Sequence, residues 1–272
     1  MTFKSINLLG IPWDDHSSYM RGPAQAPPSI RTAFACPSSN QWTESGIDLG
    51  QKDIIQDAGD LVLEGEPDPL TQIQTRVTEL LDHNTPLFCL GGDHAVTYPV
   101  VKAVAQKYDH LNILHFDAHP DLYDILDNDR FSHACPFARI METGRIHRLV
   151  QVGIRCMTGH QKEQAEKFGV EVNEIKDWQG PPEFSFDGPL YISFDMDALD
   201  PAFAPGVSHW EPGGLGIRDV LTVIHNLKVN KIVGADLVEY NPRRDPTGQT
   251  AMVAAKIMKE LMGAILLVSL DF

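Results

Sequence analysis

Asp117, His119 and Asp121 stand two residues apart after the apolar run Leu111 to Phe116, and Asp195 and Asp197 repeat that spacing after Leu190 to Phe194. In an extended chain this period turns side chains to one side. A third apolar run, Leu87 to Leu90, leads into Gly91-Gly92-Asp93-His94. The carboxylates of Asp117, Asp121, Asp195 and Asp197, held in a small and partly buried volume, would repel one another and take up protons unless cations compensated them. Two divalent ions supply the required charge. Oxygen-rich ligation with one imidazole per metal suits manganese or a similar hard ion better than zinc, whose structural sites favour thiolates. His94 and His119 are the candidate imidazoles. Any single Asp after a strand is more simply a helix N-cap or a solvated loop residue; two such clusters beside a Gly-Gly-Asp-His loop favour the metal reading.

A close pair of metals lowers the pKa of a shared water and yields a hydroxide nucleophile, the logic of metal-assisted hydrolysis. Such a site also needs a proton donor and a substrate anchor. His133, between Ser132 and Ala134, is a candidate general acid or base. Glu239, at the end of the run Lys231 to Leu237, is a candidate partner for a cationic substrate. The plainer alternatives are a surface histidine and a turn-capping carboxylate.

Strand-like and helix-like segments alternate along the chain, the pattern of a parallel sheet covered by helices on both faces. Such sheets bind ligands at the carboxyl ends of their strands, where the three clusters fall. The opening residues through Gly10 read as the first strand. Further strands are expected at Leu87–Leu90, Leu111–Phe116, Leu149–Gly153, Leu190–Phe194 and Lys231–Leu237. Helices are expected at Asp68–Asp82, Tyr98–Tyr108, Gly159–Phe168, Arg218–Leu227 and Thr250–Val268. Two long loops rich in turn formers, Asp14 to Pro28 and Pro201 to Gly216, are candidate pocket walls.

At 272 residues the chain is long enough for one large α/β domain, and no internal boundary is visible, so residues 1–272 read as a single unit. Its composition, 43% apolar and 22% charged, is that of a soluble globular protein, and no stretch suggests a membrane span or a signal peptide. A cytoplasmic protein is expected. The formal charge of −15 argues against nucleic acid or an anionic membrane as a partner. Cys36, Cys89, Cys135 and Cys156 show neither paired nor zinc-type spacing and are assigned no chemistry.

The three clusters stand in the order and spacing of the three signatures of the ureohydrolases, the family that includes arginase and agmatinase, and the chain resembles that family. The likeness extends to Arg21 through Pro28, to Ala204 through Leu215 and to Gly234 through Asp245, and the last two of these stretches resemble the plant-type arginases most. The resemblance implies a three-layer α/β/α fold, with a mainly parallel eight-stranded sheet, and a centre of two Mn2+ per chain. It implies that His94 and Asp121 complete one metal site and His119 and Asp197 the other, with Asp117 and Asp195 bridging. It further implies that His133 assists proton transfer, that Glu239 orients the guanidinium, and that the chain assembles as a homo-oligomer, a trimer or hexamer.

The expected reaction is hydrolysis of a small cationic guanidino substrate to urea and an amine, with L-arginine ahead of agmatine and guanidinobutyrate. Leu122-Tyr123-Asp124 follow Asp121 where animal arginases have an asparagine that binds the amino-acid end, whereas the plant-type enzymes are similar to this chain there. Arg21, Arg130, Arg139 and His209 are the cations available to meet a carboxylate. A metal-binding scaffold that has lost turnover would not need His133 and Glu239 alongside the ligands. A deacetylase of similar fold would bind one zinc rather than two metals.

Overall fold

Strands buried on both faces need apolar residues on both, and the apolar runs form the middle of one sheet. The structure, a computed structural model, describes residues 5–81 and 85–268. In chain order the elements are β1 (Ile6–Gly10), α1 (Ala26–Phe34), β2 (Ile55–Asp60), α2 (Pro69–Leu80), β3 (Leu87–Leu90), α3 (Thr97–Val104), β4 (Leu111–Phe116) and α4 (Pro136–Glu142). There follow β5 (Ile146–Ile154), α5 (Gly159–Phe168), β6 (Glu171–Glu174), β7 (Ser185–Asp195), α6 (Ile217–His225), β8 (Lys228–Val238) and α7 (Gln249–Leu267). The eight strands lie in the order β2-β1-β3-β8-β7-β4-β5-β6, and every neighbouring pair is parallel.

One apolar layer joins the sheet to α1, α6 and α7 through Ile30, Val220, Ile224, Ile257 and Leu261. The other joins it to α2, α3 and α4 through Ile73, Val77, Val100, Val104 and Phe137. Register across the centre brings the functional ends level: Leu90 pairs with Leu237, Leu237 with Phe194, and Phe194 with Phe116. The carboxyl ends of β3, β8, β7 and β4 are therefore neighbours in space although far apart in sequence. Among the described residues no helix is long and apolar enough to cross a membrane.

Element boundaries differ from the sequence expectation for local reasons. The loop expected to run to Pro28 ends at Gln25, because Pro27 and Pro28 sit in the first turn of α1, where a helix has no need of their missing N–H groups. Asp68 is the N-cap of α2, accepting from Thr71 N at 3.2 Å, and the expected end of that helix at Asp82 lies outside the described residues. Residues 1–4 of the first expected strand also lie outside them. The strands expected at Leu149, Leu190 and Lys231 begin earlier, at Ile146, Ser185 and Lys228. Strands β2 and β6 and helices α1 and α4 were not expected.

Candidate metal centre and catalytic cleft

The loop after β3 is built on two close approaches. A Cβ on Gly92 would lie 1.8 Å from the carbonyl oxygen of Trp13, and one on Gly91 would lie 2.6 Å from Val238, so only glycine lets the loop pass between β1 and β8. Asp93 then caps the short turn that carries His94, accepting from Ala95 N at 3.1 Å. Its other oxygen accepts from His16 N at 3.1 Å and from Ser17 Oγ at 3.2 Å, which ties the first long loop to the sheet. Burial, and then the charge of Glu239, push Asp93 up to about 7.

His94 is wholly buried, and its two nitrogens face different worlds. Nε2 lies 3.0 Å from Ser193 Oγ, whose own proton goes to Asp236 Oδ1 at 2.7 Å; Asp236 also accepts from Tyr191 OH and Thr97 Oγ1. This relay makes Ser193 the acceptor and puts the ring hydrogen on Nε2. Nδ1 is left facing Asp117 Oδ2, Asp121 Oδ2 and Asp195 Oδ2 at 3.2, 3.0 and 3.1 Å, with no hydrogen-bond partner. An orphaned imidazole nitrogen inside a ring of carboxylate oxygens fits a cation.

A second focus adjoins the first. His119 Nδ1 lies 3.1 Å from Asp197 Oδ2 and 3.4 Å from Asp117 Oδ1, so Asp117 reaches both foci with different oxygens. Backbone donors aim the carboxylates: His119 N binds Asp117 at 2.6 Å, Ala118 N binds Asp197 at 3.0 Å, and Asp197 N binds Asp195 at 2.7 Å. Asp121 is held in the left-handed region (φ 50°), where a non-glycine residue is strained. His115, one turn of the pleat before Asp117, accepts from Gln151 at Nδ1 (3.0 Å) and donates from Nε2 to Asp117 Oδ2 (2.8 Å). Burial pushes His115 down to about 4, so it is a neutral donor.

The crowding of charges points to what the cluster lacks. Burial opposes a charged His94, yet its contacts with Asp117, Asp121 and Asp195 raise it well above the ordinary imidazole value. Burial and the charges of Asp197 and Asp117 raise Asp195 well above the carboxylate range, and burial with Asp117 lifts Asp121 to about 6. Without cations these groups can coexist only by holding protons, the outcome expected of crowded carboxylates.

His133 and Glu239 face the same cleft. Glu239, another non-glycine residue with positive φ (63°), is fixed by Gly92 O, which accepts from its N–H at 2.9 Å, and its Oε1 accepts from His94 N at 3.0 Å. That oxygen also takes His133 Nδ1 at 2.8 Å, while His133 Nε2 meets Ser18 Oγ at 2.8 Å. Burial works against a charged His133, but Glu239 outweighs it and raises the ring to about 9. The cleft, with about 180 Å³ of free space, is lined by His119, Asp121, Asp195, Asp197, His133 and Glu239 at its centre. Ser18 from one long loop and His209 from the other supply walls.

All eight residues singled out in the sequence for metal or catalysis thus meet around one cleft. Asp93 and Asp200, acids of the same runs, do not join them. Asp200 instead holds the wall loop by accepting from Ala202, Gly213 and Gly214 N at 2.8, 2.6 and 3.1 Å. Of the four cations offered for a substrate carboxylate, Arg21 pairs with Asp14 and Asp15, Arg130 and Arg139 pair with Asp124 and Glu142, and only His209 lines the cleft. Sequence reasoning passed over His115, Gln151, Ser193 and Asp236. Their signal was a polar residue inside a strand buried on both faces, which must have a partner. Cys156, given no chemistry, is a free thiol lining the cleft.

A parallel sheet with cation-ready strand ends and a His–Glu pair at one cleft defines the class first, a hydrolase whose buried His and Asp clusters can bind metal. The model of the arginase family matches residues 4–263. Arginase 1, mitochondrial, of Arabidopsis thaliana is 46% identical over 284 residues, covering 96% of this chain and 81% of that protein. Agmatinase, mitochondrial, of Gallus gallus is 32% identical over 276 residues, covering 94% and 79%. The solved arginase of Medicago truncatula superposes with a TM-score of 0.92 at 43% identity, over 97% of this chain and 88% of that one. The chain belongs to the arginase family and is a ureohydrolase.

Proposed function

We propose that the protein hydrolyses L-arginine to L-ornithine and urea, using two divalent cations, manganese by the hardness of the ligands. The observation that carries this reading is the pair of adjoining foci, His94 with Asp117, Asp121 and Asp195, and His119 with Asp117 and Asp197. These residues would hold the cations, with Asp117 reaching both foci. Bound there, two cations supply positive charge and a water of lowered pKa. Arginine is favoured over agmatine by the 46% identity to a protein named arginase against 32% to one named agmatinase.

The remaining roles belong to the chain itself. Glu239, locked by Gly92, His94 and His133, offers a planar acceptor to a planar guanidinium. His133 carries its proton at neutral pH and can pass it to the departing amine, then be recharged past Ser18 from the cleft mouth. Its anchoring by Glu239 keeps the ring oriented between turnovers.

Urea release by the manganese-loaded protein, with L-arginine, agmatine and 4-guanidinobutyrate side by side, tests the reading. A higher kcat/KM for arginine supports it. Preference for either of the others overturns the substrate assignment, and full urea release after Asp117→Ala overturns the site.

A further inference from the structure

Helix α5 opens on a reciprocal cap. The backbone N–H and hydroxyl of Thr158 donate to Gln161 Oε1 at 3.1 and 3.2 Å, and Gln161 N donates back to Thr158 Oγ1 at 3.4 Å. A backbone N–H can only donate, so the contact fixes which end of the Gln161 amide is oxygen. The NH2 end is turned away from the cap. Gln161 is 2% exposed and lines the cleft next to Thr158. Both hydrogen bonds of its side chain within the cap run through Oε1.

An amide NH2 that opens on a cleft from a side chain otherwise buried is placed to donate to an acceptor entering there. The first N–H groups of α5 and the positive end of its dipole lie at the same place, which favours an anion. Among the described residues the cleft lining includes no Lys or Arg, and burial pushes His209, the cation candidate there, towards its neutral form. Acceptors at the centre, Glu239 and the Asp cluster, suit the guanidinium end of a substrate, so an anion-seeking group on the same cleft suits the other end.

We propose that Gln161, at the N-terminus of α5, binds the carboxylate of the guanidino-acid substrate through Nε2 and so sets specificity for arginine over agmatine. This rests on the reading of the chain as an arginine hydrolase and names the residue that reads the substrate's far end. Agmatine has no carboxylate and leaves the amide unpaired. A site built to bond a polar group discriminates against the analogue that lacks it.

The test is kcat and KM for arginine and agmatine in the manganese-loaded wild type, Gln161→Glu and Gln161→Ala. Glutamate keeps an oxygen for the Thr158 cap and replaces the donors by a negative oxygen; an unchanged melting temperature confirms that the cap survives. The expected result for Gln161→Glu is a KM for arginine raised about tenfold or more, the loss typical of a bond to a charged group, with the effect on KM rather than kcat. Its KM for agmatine falls, because the new carboxylate attracts the amine. Gln161→Ala raises KM for arginine without helping agmatine. Equal changes for both substrates, or none for arginine, overturn the role of Gln161 while the arginase reading stands. A wild type that prefers agmatine overturns both.

Discussion

Replacing Ser193 by alanine isolates the relay that orients His94. The change removes two fully buried hydrogen bonds, His94 Nε2 to Ser193 Oγ at 3.0 Å and Ser193 Oγ to Asp236 at 2.7 Å. The first is neutral and worth roughly 1 kcal/mol; the second reaches a carboxylate and is worth roughly 1.5–3 kcal/mol. Asp236 keeps Tyr191 and Thr97, so the metal-free variant loses about 2–4 kcal/mol rather than the larger cost of an abandoned buried charge. The imidazole also loses the group that fixed its tautomer, and metal affinity falls about 10–100-fold, as outer partners of ligating histidines command. Two assays read this: denaturant melts of the metal-free protein, and urea release across a series of buffered free manganese concentrations. An activation midpoint within about twofold of wild type would refute the claim that Ser193 and Asp236 prepare His94 for a cation.

Asp195→Asn should leave the melting temperature of the metal-free protein little changed, since burial and the charges of Asp197 and Asp117 already hold that carboxyl in its neutral form. The same variant should lose most of the stabilisation that added manganese gives wild type, which thermal melts with and without metal will show. His133 titrates at about 9 in the folded chain against 6.5 as its ordinary value, so its pairing with Glu239 stabilises fully below pH 6.5 and is lost as pH rises through about 9. The stability gap between wild type and His133→Gln, measured by denaturant melts of metal-free protein, should therefore be widest near pH 6 and shrink towards pH 10; a gap that widens with pH refutes the assignment.

The six interior strands were legible because burial on both faces demands continuous apolar runs, as in Leu87–Leu90 and Leu190–Phe194. The two that escaped, β2 and β6, are the edges of the sheet. Ile-Gln-Asp-Ala-Gly-Asp is mostly exposed and Glu-Val-Asn-Glu mostly half-buried; both carry charges that discourage edge-to-edge pairing and show no apolar period to read. α1 was hidden by Pro27 and Pro28, which look like a turn until their place in the first helical turn is known. The carboxylates and imidazoles were legible because their types and strand-end spacing are chemical. The supports of His94 and Asp117 were not, since Ser193, Asp236 and His115 reach their partners across neighbouring strands, and which strands are neighbours is topology rather than sequence.

That topology also dictates when the site can exist. β8 is the last strand made, yet it lies between β3 and β7 at the middle of the sheet, and Glu239 just beyond it bonds His94 across 145 residues. A nascent chain lacking β8 has two half-sheets with raw, apolar edges at β3 and β7 and no means of joining them. Folding must wait for an insertion between distant partners, a slow, high-contact-order step. Completion of the His94 focus is therefore a late event, because His94 after β3 comes level with Asp117 and Asp195 at the ends of β4 and β7 only once β8 lies between them, and the half-sheets are the species that a chaperone would have to shield.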